Sequence, residues 1–290
     1  MDNIKIRQAT TSESDINGIV KVYKPGDEVP WSKPVECKAW ISKRLERGFY
    51  IQVAEIDEKI IAHGEWIISD EPNRKFAYLG MLEINEQYQR KGIGRAMIAD
   101  GIEHAKKNGC KLAVTNPDTE TGAEVFYRKC GFTDARKHHS LKMLTEKYKD
   151  YEFLKTYIDK IPFAAIKEKN YIFGKGQFCS RHMWEVYNEK PTTDDRLSPA
   201  ILLPEGSYIQ LGYWQGGDGG YLMIWSNNTN YGDIIKSALS FGYCLGLHHL
   251  DFDYLEDEES FFEGFEVYDK KQESDFEQIY CIEQEENQDD

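Results

Sequence analysis

A strand that runs into a basic, glycine-bearing turn and out into an amphipathic helix is the feature that most narrows what this chain can become. "KFAYLGMLEI" (75–84) reads as an extended segment, and "NEQYQRKGIGRAMI" (85–98) follows without a break. Beyond Gly92, the residues Ile93, Met97, Ile98, Ile102 and Ala105 recur at helical spacing. A helix opening in this way aims several backbone N–H groups and the positive end of its dipole outward, so an anion is its natural occupant. Gly92 and Gly94 would let a phosphate approach the backbone, and Arg90, Lys91 and Arg95 would supply counter-charge. The segment holds no G-x-x-x-x-G-K-[ST] loop and lacks the third glycine of a dinucleotide fingerprint. Taken alone, it reads equally well as a helix start whose glycines allow tight packing.

The elements around this turn fall in a definite order. "IKIRQA" (4–9) alternates as a strand, and "SESDINGIVKVY" opens with capping residues and then spaces Ile16, Ile19, Val20 and Tyr23 along one helical face. "KPGDEVPWSKP" is a loop. A second helix, "VECKAWISKRLERG", turns Cys37, Trp40, Ile41 and Leu45 inward and stops at Gly48. "FYIQVAEID" and "KIIAHGEWIIS" are two strands, and after the long helix come "CKLAVTN" (strand), "TGAEVFYRKCG" (short helix) and a strand or hairpin over 132–144. The order β-α-α-β-β-β-α-β-α-β is an α/β layer architecture.

With "GAEVFYRKCGF" in place, the two segments together resemble the GNAT family of N-acetyltransferases. That family's Q/R-x-x-G-x-G/A segment is matched by Gln89, Arg90, Lys91, Gly92, Ile93 and Gly94, and its later A-x-x-x-Y-x-x-x-G-F element by Ala123, Tyr127, Gly131 and Phe132. The resemblance covers roughly residues 3–145. It implies a GNAT-like mixed central sheet with flanking helices and an acetyl-CoA site. Backbone groups of Leu82, Glu83 and Ile84 would hold the acetyl carbonyl and pantetheine, and the amides from Arg90 to Arg95 would wrap the pyrophosphate. Tyr127 would protonate the departing thiolate. Preorganised N–H groups aimed at a developing oxyanion are worth ~3–4 kcal/mol.

An amine acceptor must lose a proton before it attacks. Two carboxylates are candidates for that base: Glu83, on the strand that carries the acetyl group, and Glu65, inside the otherwise apolar "AHGEWII". Glu65 is equally readable as an edge residue facing solvent. The fifth strand, "LAVTN", carries no carboxylate, and Glu120 stands where many members of the family have an Asn, with Asn116 or Thr119 as substitutes.

The acceptor that the resemblance implies is a small-molecule or peptide amine. The formal net charge of −14 suits a cationic one, such as a polyamine, an aminoglycoside or a Lys-bearing peptide, and argues against nucleic acid. Its site would use the loop and helix at residues 24–48, with the second half as a further candidate wall; Trp31 and Trp40 are candidates there that also read as core. No run approaches the roughly 18 apolar residues of a membrane helix, and the start shows no basic and apolar leader. Six scattered cysteines without a C-x-x-C pair point to reduced thiols and a cytoplasmic setting. The histidines of "CSRH", 138–139 and 248–249 do not assemble a metal set.

The second half is a faded echo of the first. Residues 208–282 repeat two strands, a helix, a strand, a short helix ending in Gly264-Phe265, and a last strand, "EQIYCIE". "NNTNYG" stands where "QRKGIG" stood, and Ser260 falls where Tyr127 stood, so this copy reads as degenerate, and as structural or substrate-shaping. The expected organisation is a catalytic unit over 1–147, a polar, helix-leaning linker over 148–162, a degenerate GNAT-like unit over 163–284 and an acidic tail over 285–290. The reading that competes with an acetyl-CoA-dependent acyltransferase is a non-enzymatic CoA-binding or protein-interaction module. Intact Gly92, Gly94 and Tyr127 favour the enzyme.

Overall fold

The computed structural model describes residues 4–24, 32–71, 74–174, 179–189, 196–271 and 276–282. Its first half contains β1 (Lys5–Gln8), α1 (Glu13–Val20), α2 (Pro34–Glu46), β2 (Tyr50–Ile56), β3 (Lys59–Glu71), β4 (Arg74–Ile84), α3 (Ile93–Lys107), β5 (Leu112–Thr115), α4 (Ala123–Lys129) and β6 (Thr133–Leu144). The second half follows with β7 (Thr156–Ile158), α5 (Phe163–Ile166), β8 (Asn170–Ile172), α6 (Ser180–Asn188), β9 (Arg196–Leu197) and β10 (Ala200–Leu202). It closes with β11 (Tyr208–Trp214), β12 (Gly219–Ser226), α7 (Tyr231–Cys244), β13 (His249–Leu255), β14 (Asp269–Lys271) and β15 (Phe276–Cys281).

Local chemistry accounts for most of these elements. Ser12 caps α1 by accepting from the Asp15 amide, and the Arg7–Asp15 ion pair at 2.8 Å ties α1 to β1. Proline opens α2, where its missing N–H costs nothing. Buried Trp66 lies so close under α3 that a Cβ on Gly101 would come within 2.0 Å of it. Gln52 accepts from Trp66 Nε1 at 2.9 Å and donates to Met97 O at 3.0 Å and Asp100 Oδ2 at 2.6 Å. That buried polar clamp ties the middle of α3 to β2 and β3.

The strands join one sheet in the order β1-β2-β3-β4-β5-β15-β6-β13-β12-β11-β10-β7. Its parallel pairs, β4–β5 and β12–β13, occupy corresponding places in the two halves. On one face of the first half, Ile16, Ile19, Cys37 and Ile41 of α1 and α2 pack on Ile51, Val53, Ile67 and Val114. The other face receives Ile98 and Ala105 of α3 with Tyr127 and Phe132. α7 covers the second half's main core, to which Leu141 and Met143 of β6 belong.

The sheet corrects the sequence reading in two places. Residues 276–281 do not close the second half: β15 lies between β5 and β6, with Gln278 opposite Thr115 and Ile279 opposite Val114. In return, the C-terminal part of β6 pairs with β13 from His138 to Leu144, and β14 pairs with β6. Twelve residues of strand reach about 40 Å, enough for β6 to serve both halves. β5 carries fully buried Ala113 and Val114, and its edge would be left with unpaired amides if β15 were absent. Second, 148–162 is not helical: after a 3-10 turn at Glu146–Tyr148 it becomes extended and supplies β7, the far edge of the sheet.

Candidate active site

The gap that defines the site starts at a β-bulge. Leu79 pairs with Trp66 and Met81 with Glu65, so Gly80 is the extra residue on β4. The parallel pairing of β4 with β5 ends there too, at Leu79 opposite Thr115. Past that point β4 turns away from β5, and among the described residues Met81–Ile84 pair with β3 alone. One edge of this segment therefore offers backbone N–H and C=O groups to an extended, amide-bearing ligand.

Cross-strand partners share a sheet face, and this sorts the side chains. Leu82 and Ile84 pack with Ile93 and Met97 on the α3 face, leaving their backbone to face the gap. Half-buried Glu83 stands opposite His63, on the face of α1 and α2.

Beyond Ile84, the turn is held by its own side chains. Gln89 Nε2 donates to Ile84 O at 3.0 Å, and Lys91 Nζ donates to Gln87 O at 2.9 Å. Arg90 (φ 58°) and Gly92 (φ 80°) both take the left-handed conformation, and Gly92 is the N-cap of α3. No side chain caps that helix and no acidic residue sits in its first turn, while Arg90, Lys91, Gly92 and Arg95 are exposed. The two glycines divide the work differently from the sequence reading. Gly92 is at the surface, but Gly94 is buried, and a Cβ there would meet Ile84 and Phe126 at 3.0 Å. Gly94 lets α3 pack; Gly92 keeps the turn open. Ile93 is a core residue whose side chain faces inward.

Tyr127 reaches the gap from α4. Its ring stands edge-on to Phe126 and Phe132, with centroids 5.1 and 5.7 Å away. Burial pushes the phenol up to about 12, opposed by a hydrogen bond with Thr115 and assisted by the Cys130 thiol and the Glu83 carboxylate. Thr115 in turn donates to Leu79 O at 3.3 Å, the last paired residue of β4. The structure thus brings Tyr127, Thr115 and Glu83 to the mouth of the gap. Asn116, directly after β5, has an Oδ1 that is buried without a hydrogen-bond partner among the described residues. Glu120 is exposed, and its backbone amide donates to Asp118.

Glu65 is placed differently. Its carboxylate is ion-paired with Arg44 of α2, and both side chains are only 2% exposed. It also faces His63 Nε2 at 3.6 Å, while His63 Nδ1 meets the Tyr23 hydroxyl at 2.6 Å. Burial and the Arg44 charge hold His63 down to about 3, so the ring is neutral. Arg44, at an a-type core position between Ile41 and Leu45, is a buried charge the sequence pattern had left outside the core. Trp40 carries the Arg44 guanidinium over its ring at 4.1 Å, and Trp31 lies outside the described residues.

The sequence reading gave the second half a structural or substrate-shaping role without naming the residues that reach this face. Arg47, just past α2, pairs with Glu185 of α6 at 3.3 Å and with Glu189, just past α6, at 2.9 Å. Arg181 of α6 donates to Ile68 O at 3.4 Å, and the His182 ring lies 5.9 Å from that of Tyr78 on β4. Cys179 belongs to the first half's core. Buried Glu277 of β15, 3.2 Å from Arg136, raises the Tyr78 phenol together with Cys179 and Tyr127, though burial is the main cause. The only cue in the sequence was polar residues in segments otherwise read as core strand or remote helix. Among the described residues no group of His, Cys, Asp and Glu could hold a metal, and no helix is long and apolar enough to cross a membrane.

Comparison with known proteins bears on the family and the fold. Residues 17–132 match the acetyltransferase (GNAT) family. An uncharacterised N-acetyltransferase of Methanocaldococcus jannaschii is 29% identical over 139 residues, 44% of this chain. The match spans 60% of that relative's length. Among solved structures, a GCN5-related N-acetyltransferase from Anabaena variabilis is similar in fold (TM-score 0.65, 12% identity, covering 97% of this chain and 73% of that one). So is a tandem GNAT protein from the clavulanic acid biosynthesis pathway (TM-score 0.50, 12% identity, covering 97% and 99%). The match over residues 17–132 makes the first half similar to the acetyltransferase (GNAT) family, and the whole chain has a mixed α/β fold similar to that of a tandem GNAT protein.

Proposed function

We propose that the chain is an N-acetyltransferase that moves an acetyl group from acetyl-CoA to a primary amine by direct attack within a ternary complex. The observation that carries this reading is the open edge of Met81–Ile84, running from Tyr127 at one end to the uncapped start of α3 at the other. The residues present fit the donor. The edge of β4 suits the amides of pantetheine, Asn116 Oδ1 awaits a donor, and the N-terminus of α3 with Arg90, Lys91 and Arg95 suits a pyrophosphate. Acetyl-CoA supplies an activated thioester; the protein's residues position it and move protons.

Glu83 is the better base of the two carboxylates. It is half-buried and stands at the gap, whereas Glu65 is engaged by Arg44 in a buried ion pair. Glu83 takes a proton from the ammonium group, directly or through a water, and frees the lone pair that forms the C–N bond. As the C–S bond breaks, the sulfur leaves with its electron pair and Tyr127 gives it the phenolic proton. The second proton shed by the nitrogen balances that loss. A raised phenol stays protonated through the physiological range, as this role requires. Backbone N–H groups of β4 would face the charge developing on the carbonyl oxygen, worth ~3–4 kcal/mol.

The acceptor approaches from the face of α1 and α2, where α6 forms a further wall. Free-thiol release with saturating acetyl-CoA across polyamines, aminoglycosides and Lys-bearing peptides tests the reading. Release that Tyr127→Phe abolishes supports it. A folded protein that binds acetyl-CoA but releases no thiol with any amine would leave a binding module instead.

A further inference from the structure

We infer that the chain binds one acyl-CoA, because its own strand β8 permanently occupies the corresponding slot of the second half. This rests on the reading of the β4–β5 gap as the acyl-CoA site. The second half repeats the gap: the parallel pairing of β12 with β13 ends at Tyr221 opposite Asp251, while β12 continues to Ser226. One edge of this continuation is taken by β11, with Ile209 opposite Ile224 and Tyr208 opposite Trp225. The other edge, which in the first half is open, is filled by β8: Ile172 lies opposite Ile224, Tyr171 opposite Trp225 and Asn170 opposite Ser226.

The segment is anchored at both ends. Asn227 Nδ2 donates to Glu168 O at 2.7 Å, and the Asn170 amide donates to Asn227 Oδ1 at 3.2 Å. At the other end Phe173 is fully buried, in a left-handed conformation (φ 48°) that is unfavourable for a non-glycine residue. Its ring meets Tyr231 at 5.2 Å, Phe261 at 5.7 Å and Phe262 at 5.1 Å. Tyr231 opens α7, and the two phenylalanines lie in the 3-10 segment Glu256–Phe262, which stands where α4 brings Tyr127 in the first half. An aromatic cluster therefore takes the place of the proton donor.

The anion end is closed as well. Asn230 caps α7 by accepting from the Asp233 amide at 3.4 Å, and its own amide donates to the Asp233 carboxylate at 2.6 Å. An acidic side chain thus sits in the first turn, where α3 has none. From Ser226 to Ile235 the sequence contains no Lys or Arg. A pyrophosphate would meet a satisfied helix end and a negative charge.

Two measurements on the full chain decide this. Calorimetry with acetyl-CoA should give about one equivalent per chain, and Gly92→Asp should remove all binding. Two equivalents, or binding that survives Gly92→Asp, overturns the inference. Hydrogen exchange on the free chain should show the β8 amides protected comparably to those of Leu222–Ser226, with no change at saturating acetyl-CoA. Fast exchange over Asn170–Ile172 would mean an open slot and overturns the inference whatever acetyl-CoA does. Protected β8 amides in a folded chain that fails to bind acetyl-CoA would uphold the filled slot and count against the proposed function alone.

Discussion

The two parallel strand pairs of this molecule diverge in the same way and end differently. After Leu79 and Thr115 the first pair leaves an edge of β4 open, beside a bare helix start and a buried tyrosine. After Tyr221 and Asp251 the second pair receives β8, beside a capped helix start and a phenylalanine cluster. The repeat has kept the splay and changed its occupant. A diverging strand pair thus has two outcomes here, an open edge or one filled by the chain's own strand, and in both the edge N–H and C=O groups need partners.

The largest expected effect breaks the comparison at its root. A chain ending at Lys271 loses β15, exposing the edges of β5 and β6 and orphaning Glu277's partner Arg136. We expect it to lack a cooperative thermal transition and to bind no acetyl-CoA, as read by circular dichroism and calorimetry; a native-like transition would show that the exchanged strand is dispensable. Next, Arg44→Ala leaves Glu65 charged and buried without its partner, at a cost of about 3–5 kcal/mol in chemical denaturation. A loss below 1 kcal/mol would mean that the Glu65 site is wetter than its burial suggests, reopening it as a base.

Tyr127→Phe should lower kcat by about 10²–10⁴ while leaving acetyl-CoA affinity nearly unchanged. Equal losses in both would make the tyrosine a packing residue, like Phe173 in the other half. Asp233→Lys in the second half should change nothing in acetyl-CoA stoichiometry, since β8 still fills the slot. Extra binding would show that charge, and not the strand, had closed it.

Acid should act on the junction between the halves. His63 and His182 are each held down to about 3 from 6.5, chiefly by burial and then by Arg44. Above pH 6.5 both are neutral in folded and unfolded chains alike. As pH falls from there toward 3, the unfolded chain takes up protons that the folded one refuses, so stability declines. Tm should fall through that window, and the His63→Gln, His182→Gln double variant should flatten the slope; an unchanged slope would assign the loss to other groups.

Much of the first half was legible because its signals are local. Ser12, the spacing of Ile16 and Ile19, Gly92 and the Tyr127 to Phe132 run each act within a turn or two of the chain. Where the reading failed, the deciding partner was remote. Arg44 lies between apolar positions of α2, and only β3 and α6 supply the carboxylates that permit its burial. "EQIYCIE" was recognisable as a strand, but nothing in it names β5 and β6 as its neighbours. The same holds for "YKDYEFLKTYIDKIP", whose polar pattern reads as helix until β10 offers an edge.

The sequence by itself determined the order of elements, the basic, glycine-bearing turn and the absence of its basic residues from the corresponding stretch of the second half, since glycine conformation, helix periodicity and charge are properties of neighbouring residues. The tertiary structure alone decided that the last strand belongs to the first half, that α6 packs against α2 and the first half's sheet, and that β8 pairs with the second half's diverging strand. Strand edges are chemically alike along any chain, so their pairing is settled by which remote segment satisfies the backbone while burying the right face.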